Sequence, residues 1–100
     1  MTREQRVVRA VRRREVSVRF VGRHDWEGMY DFFGGIDISI YAKEPVSVLV
    51  HEVLHHLYPK KSEEWILKHE AIVYSRLSPK DWKYLNGVVK RALAKYKAMR

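Results

Sequence analysis

Residues 46–59 read VSVLVHEVLHHLYP and place His51, Glu52 and His55 in the order H-E-x-x-H inside an apolar run. On a helix, residues four apart stand one above the other, so both imidazoles reach a single ion at the Zn–N distance of about 2.0–2.1 Å. Glu52 lies beside them. Two neutral imidazoles leave an ion enough charge to polarise a carbonyl and acidify bound water, and a neighbouring carboxylate can take the water's proton and return it to a leaving amine. The spacing therefore predicts Zn2+ at His51 and His55, with Glu52 as general base and acid. His56 points about 100° away from His55, which makes it a poor third ligand, and is read as lying at a polar edge or hydrogen-bonding a neighbour. His24 falls in a turn and is read as solvated.

The helix that carries these groups is bounded by Pro45, which suits a first turn, and by Pro59 beyond its end, giving a span of about 45–57. Val46, Val48, Leu49, Val50, Val53, Leu54 and Leu57 surround it, so it is expected to be buried nearly all round, where unligated His and Glu would be costly. A third ligand must then come from the next helix, capped by Ser62 and running to about Leu77. Projected at about 100° per residue, its apolar face is Ile66, Leu67, Val73, Tyr74 and Leu77. Glu63 and Glu70 fall at the centre of that face and Glu64 and Lys68 towards its edge. The helix N-terminal dipole accounts for Glu63 but not for Glu70, two turns further in. Glu70 is thus the preferred ligand; Glu63, His69, Glu64 and a site completed by water are the alternatives.

Upstream, Thr2 and Gln5 form a capping box ahead of a short helix from residue 3, with Val7, Val8 and Val11 inward and arginines outward. EVSVRFV alternates, with Val16, Val18 and Phe20 on one side and Ser17 and Arg19 on the other, the period of a half-buried strand. WEGMYDFF reads as a second strand weakened by Gly28. Gly34 and Gly35 turn it into a hairpin with IDISIY, where Ile36, Ile38 and Ile40 are expected in the core and Asp37, Ser39 and Tyr41 away from it. Ser78 and Pro79 open a last helix whose stripe is Trp82, Leu85, Val89, Leu93 and Tyr96, with Gly87 as a weak point. The fold class is α+β: one domain over residues 1–100, with a three-stranded antiparallel or mixed sheet packed on the motif helix and further helices around it.

Composition narrows the functions. At 100 residues and 46% hydrophobic, the chain suits one domain. The absence of cysteine excludes disulfides, thiolate metal sites and cysteine nucleophiles, and fits a reducing, cytoplasmic setting. No apolar run approaches the roughly 20 residues of a membrane span, and the Arg-rich start lacks a signal-peptide core, so a soluble intracellular protein is expected. The net charge of +8 admits nucleic acid or an anionic surface as partner. Its carriers, Arg12, Arg13, Arg14, Arg19, Lys90, Arg91, Lys95 and Lys97, are spread over both ends without interleaved exposed aromatics. Nucleic-acid association is therefore the alternative reading, and a zinc-holding scaffold or toxin–antitoxin component a third.

The order of strand, short loop, H-E-x-x-H helix and acid-bearing helix, carried by IDISIY, HEVLHH and EEWILKHE within residues 15–77, resembles the zincin metallopeptidases and, among them, the gluzincins. The chain is most similar to the minigluzincins, minimal soluble relatives of the catalytic domains of integral-membrane CAAX-type peptidases. The resemblance implies zinc-dependent hydrolysis of a peptide or unfolded protein by a monomer or homodimer, with a third-ligand glutamate on the second helix. It implies that the strand Ile36 to Tyr41 pairs with an extended substrate. It also implies that residues 79–100 maintain latency by covering the cleft, the alternative being that they complete the core. Gluzincins often carry Asp four residues after the ligand glutamate, whereas Tyr74 stands at that spacing from Glu70. Either Tyr74 plays another role, such as hydrogen-bonding a ligand or an oxyanion, or Glu70 is not the ligand; core packing is the plain alternative for Tyr74.

Overall fold

Three of the four helices in the computed structural model, which describes residues 1–99, start at the caps the sequence predicts. In α1 (Arg3–Arg12) the Gln5 N–H donates to Thr2 Oγ1 at 3.1 Å and the Thr2 N–H donates back to Gln5 Oε1 at 2.9 Å. Ser62 accepts from the Trp65 N–H at 3.1 Å to open α3 (Glu63–Arg76), and Ser78 accepts from the Asp81 N–H at 3.0 Å to open α4 (Pro79–Ala98). The fourth, α2 (Pro45–Leu57), relies on Pro45 and has no side-chain cap. Arg100, part of the proposed tail, lies outside the described residues.

Three short strands, β1 (Ser17–Val21), β2 (Gly28–Tyr30) and β3 (Gly35–Ser39), form a mixed sheet in the order β1-β3-β2. β3 runs parallel to β1, with Phe20 opposite Ile38, and antiparallel to β2, with Met29 opposite Asp37. The expected hairpin is therefore present. Asp31 Oδ1 fixes its turn by accepting from the N–H groups of Phe33 and Gly35 at 2.7 and 2.9 Å, while Phe32 and Gly34 take left-handed φ values of 65° and 94°.

The core gathers Val7, Phe20, Ile36, Ile38, Ile66, Val73, Leu85 and Val89 around α2, which packs against the other three helices and against β2 and β3. Val46, Val48, Leu49, Val50, Val53 and Leu54 are all buried on that helix, as its composition predicts. Truncating one of them, such as Leu49, would cost about 2–5 kcal/mol. An α+β domain results, and among the described residues no helix is long and apolar enough to cross a membrane.

The structure corrects several expectations. Ser39, predicted to face away from the core, is buried because the chain before β2 covers it; its hydroxyl donates to the Arg23 carbonyl and accepts from the Tyr41 N–H. Ile40 follows the end of β3 and is only half-buried. Leu67, placed on the apolar face of α3, is exposed. Gly87 does not interrupt α4. β3, expected to pair with substrate, is central and has neighbours on both sides, so the strand edge beside α2 belongs to β2. α4 packs on β1, α2 and α1, with Leu85 and Val89 buried and Leu93 and Tyr96 against the core. Its apolar stripe thus joins the core.

Candidate metal centre

The site forms where α2 meets the first two turns of α3. His51 and His55, one turn apart, have ring centroids 5.0 Å apart, and His51, Glu52 and His55 bring donor atoms within 4.8 Å of one another. Glu63 reaches across from α3 and joins the two rings: its Oε1 is 2.6 Å from His51 Nε2 and its Oε2 2.9 Å from His55 Nε2. Glu70, two turns on, takes the other side of His51, with Oε1 2.6 Å from Nδ1. Ser47, one turn before His51 on α2, donates to Glu70 Oε2 at 2.7 Å. A carboxylate only accepts, so an imidazole nitrogen hydrogen-bonded to one donates the proton.

These contacts set the electrostatics. Burial alone would lower the His51 pKa, but the hydrogen bond to Glu70 and the charges of Glu52, Glu63 and Glu70 outweigh it and hold the ring above its ordinary value. Burial acts upward on Glu70 as well, yet the hydrogen bonds from His51 and Ser47 and the His51 charge leave that carboxyl lowered. Glu52 is different. It is 6% exposed, its Oε2 stands 4.0 Å from His51 Nε2, and burial lifts its pKa to about 7 against the opposing pull of His51, with the negative charges of Glu63 and Glu70 adding to the rise.

Gly28 is what lets β2 approach this wall. A Cβ there would meet Val48 Cγ1 and stand 3.0 Å from Glu52 Oε2. Two cavities flank the contact. One of about 350 Å³ is lined by Glu27, Glu44, Ser47, Leu67, Glu70 and the motif residues His51 and Glu52. The other, of about 270 Å³, is lined by Met29, Tyr30, Phe32, His55 and Glu63 together with Gly28, His51 and Glu52. Neither draws a residue from α4.

Of the residues singled out in the sequence, the structure brings His51, Glu52, His55, Glu63 and Glu70 together. It separates the others. His69 stacks on Trp65 at 3.8 Å and bonds the Trp65 carbonyl, while Glu64 is exposed and lines neither cavity. Tyr74 donates to Glu44 at 3.3 Å and accepts from the Trp82 indole at 3.2 Å. His56 lies at an edge, with Nδ1 2.7 Å from the Tyr30 hydroxyl and Nε2 3.1 Å from Glu15. His24 is exposed and stacks on Tyr41 at 3.9 Å. Ser47 and Gly28 were not foreseen as site residues. Their signals were the four-residue step from Ser47 to His51 on one helix face and a glycine inside a strand, which marks close approach.

Comparison of this chain with protein-family models, with curated proteins and with solved structures gave no match. The group that could hold a metal therefore stands on its own geometry.

Proposed function

We propose that this chain is a zinc-dependent peptide hydrolase of the gluzincin kind, with His51, His55 and Glu63 as metal ligands and Glu52 as the proton-transfer group. The observation that carries this reading is the convergence of His51 Nε2 and His55 Nε2 on the one carboxylate of Glu63. A ring offers a given ion only one of its two nitrogens, and the Nε2 pair is the pair that shares a neighbour. Glu70 occupies His51 Nδ1, so it acts behind the ligand, fixing the ring's tautomer and plane and raising its basicity. This moves the third ligand from Glu70, preferred on sequence, to Glu63.

Two imidazoles and one carboxylate are a donor set suited to catalytic zinc. The carboxylates Glu52, Glu63 and Glu70 also crowd negative charge around His51, which a divalent cation would offset. Zinc bound there would supply Lewis acidity and an acidified water.

The chain's own residues do the rest. Glu52, with its carboxyl lifted towards neutrality by burial, is matched both to accept a proton from water and to pass it to the departing amine. β2 offers the substrate edge. The N–H groups of Ser39 and Asp31 bond the carbonyls of Glu27 and Gly35, so by antiparallel alternation the backbone groups of Gly28 and Tyr30 point away from β3. An extended peptide adding there as a further strand runs past Glu52, with side-chain room in the two flanking cavities.

The test is metal content of protein purified without added metal, read together with cleavage of an unfolded protein. One zinc per chain is expected, lost in the His51→Ala, His55→Ala double variant and retained without cleavage in Glu52→Gln. Stoichiometric zinc persisting in the double variant overturns the site. Zinc bound at these residues with no cleavage by the wild type assigns the chain to a metal-holding scaffold.

A further inference from the structure

The turn between β2 and β3 displays two consecutive phenylalanines to solvent: Phe32 is 63% exposed and Phe33 94%. This display is built, not frayed. Phe32 sits at φ 65°, a left-handed conformation unfavourable for an aromatic residue, and Asp31 holds the tip through the N–H groups of Phe33 and Gly35. A fold that keeps two large apolar side chains outside in a strained turn has a use for them there.

Their surroundings identify the use. The Ser17 N–H donates to the Gly34 carbonyl at 2.8 Å, and Gly34 lies against the Glu15 carbonyl, so the tip adjoins the turn that follows α1. Arg13 and Arg14 are exposed in that turn, and Arg6, Arg9 and Arg13 share one surface with Glu15. Among the described residues none of these four arginines has a carboxylate partner. The two nearby acids, both exposed, are already engaged, Asp31 by its own loop and Glu15 by His56. Exposed aromatics and free cations thus share one corner, although the sequence keeps them far apart.

We infer that this corner docks on an anionic lipid surface, with Phe32 and Phe33 entering the boundary between headgroups and acyl chains and Arg6, Arg9, Arg13 and Arg14 against the headgroups. Interfacial binding needs that pairing of inserted apolar area with unneutralised positive charge. Single-stranded nucleic acid fits less well, because base stacking uses aromatic faces along a groove, whereas Phe33 projects from a tip and Phe32 stands edge-on to Tyr30 at 61°. A second copy of the chain would set arginines against arginines. The inference does not rest on the metal reading.

The experiment sediments the full chain with vesicles of phosphatidylcholine alone and of phosphatidylcholine mixed with phosphatidylserine, at low and at high salt. Binding is expected to the mixed vesicles, weakened by salt. Phe33→Ser is expected to lower partitioning roughly tenfold or more, and the Arg13→Gln, Arg14→Gln pair roughly fivefold per arginine. All three residues are exposed, and circular dichroism verifies that each variant is folded. No binding to anionic vesicles at low salt overturns the inference, as does binding that Phe33→Ser leaves unchanged. Retention of a thymidine oligomer that Phe33→Ser abolishes, without vesicle binding, reassigns the corner to nucleic acid. A dimer that Phe33→Ser dissociates reassigns it to a second copy.

Discussion

His51 stands between two carboxylates of one helix, Glu63 at its Nε2 and Glu70 at its Nδ1, each at 2.6 Å. The two acids lie two turns apart on α3, about 10 Å along the axis, and the ring spans the gap between them. One helix thereby supplies a group in front of the imidazole and a group behind it, and the two should fail differently.

Glu63→Ala should remove most of the zinc affinity, since a ligand is lost. Glu70→Ala should weaken it by roughly 10–100-fold, the usual effect of losing a partner behind a ligating histidine. Chelator competition measures both. A larger loss in Glu70→Ala than in Glu63→Ala would reverse the assignment of the two acids.

Metal-free protein should lose stability as pH rises. The Glu52 carboxyl ionises near 4.5 when unfolded but near 7 when folded, so its contribution is present below about 4.5 and is lost as pH climbs through about 7. The whole change is on the order of 3 kcal/mol. His51, raised from 6.5, acts in the same sense: its contribution is present below 6.5 and is lost above the folded value. Glu70, lowered, contributes above 4.5 and loses its effect as pH falls through the folded value. Urea unfolding of chelator-treated protein should therefore show a midpoint that declines from mildly acidic to mildly alkaline pH, and Glu52→Gln should flatten most of that decline. An unchanged slope in Glu52→Gln would mean that this carboxyl does not titrate as its burial requires.

Gly28→Ala should destabilise the fold by about 1–3 kcal/mol, because the added methyl meets Val48 and crowds Glu52 where β2 crosses α2. Chemical denaturation reads this directly. Stability equal to wild type would show that strand and helix can separate without cost.

Removal of residues 89–100 should unfold the chain and not unmask activity. Val89 is buried and Leu93 and Tyr96 pack on the core, in a domain with little core to spare. Circular dichroism and peptide cleavage on the truncated chain distinguish the outcomes: a folded, more active product would restore α4 as a cover for the cleft.

What could be read from the sequence was what depends on neighbours in the chain. Thr2, Ser62 and Ser78 mark helix starts by bonding residues three positions on, and His51 and His55 face one way because they are one turn apart. The wheel of α3 likewise put Glu63 and Glu70 on one face. It could not say which imidazole nitrogen each would meet, since that depends on how α2 and α3 cross. Ser39 alternates as an outward residue, and only the chain around Arg23 folding over the sheet makes it buried. Placing β3 between β1 and β2 is a matter of long-range pairing. The same pairing sets Gly34 of the hairpin turn against the turn that follows α1, a neighbourhood that no local pattern announces.

Every side chain lining the two cleft cavities comes from one uninterrupted stretch, Glu27 to Glu70. A tight hairpin and short connections join its elements, so bringing them together closes only small loops and costs little chain entropy. β1, by contrast, must find β3 across the intervening hairpin, and α1 and α4 arrive from the two ends. During refolding, amides of the β2–β3 hairpin and of α2 should accordingly gain protection from exchange before those of α4. The cleft would then be the seed around which the remainder condenses, and a cation captured early would hasten refolding as well as steady its product.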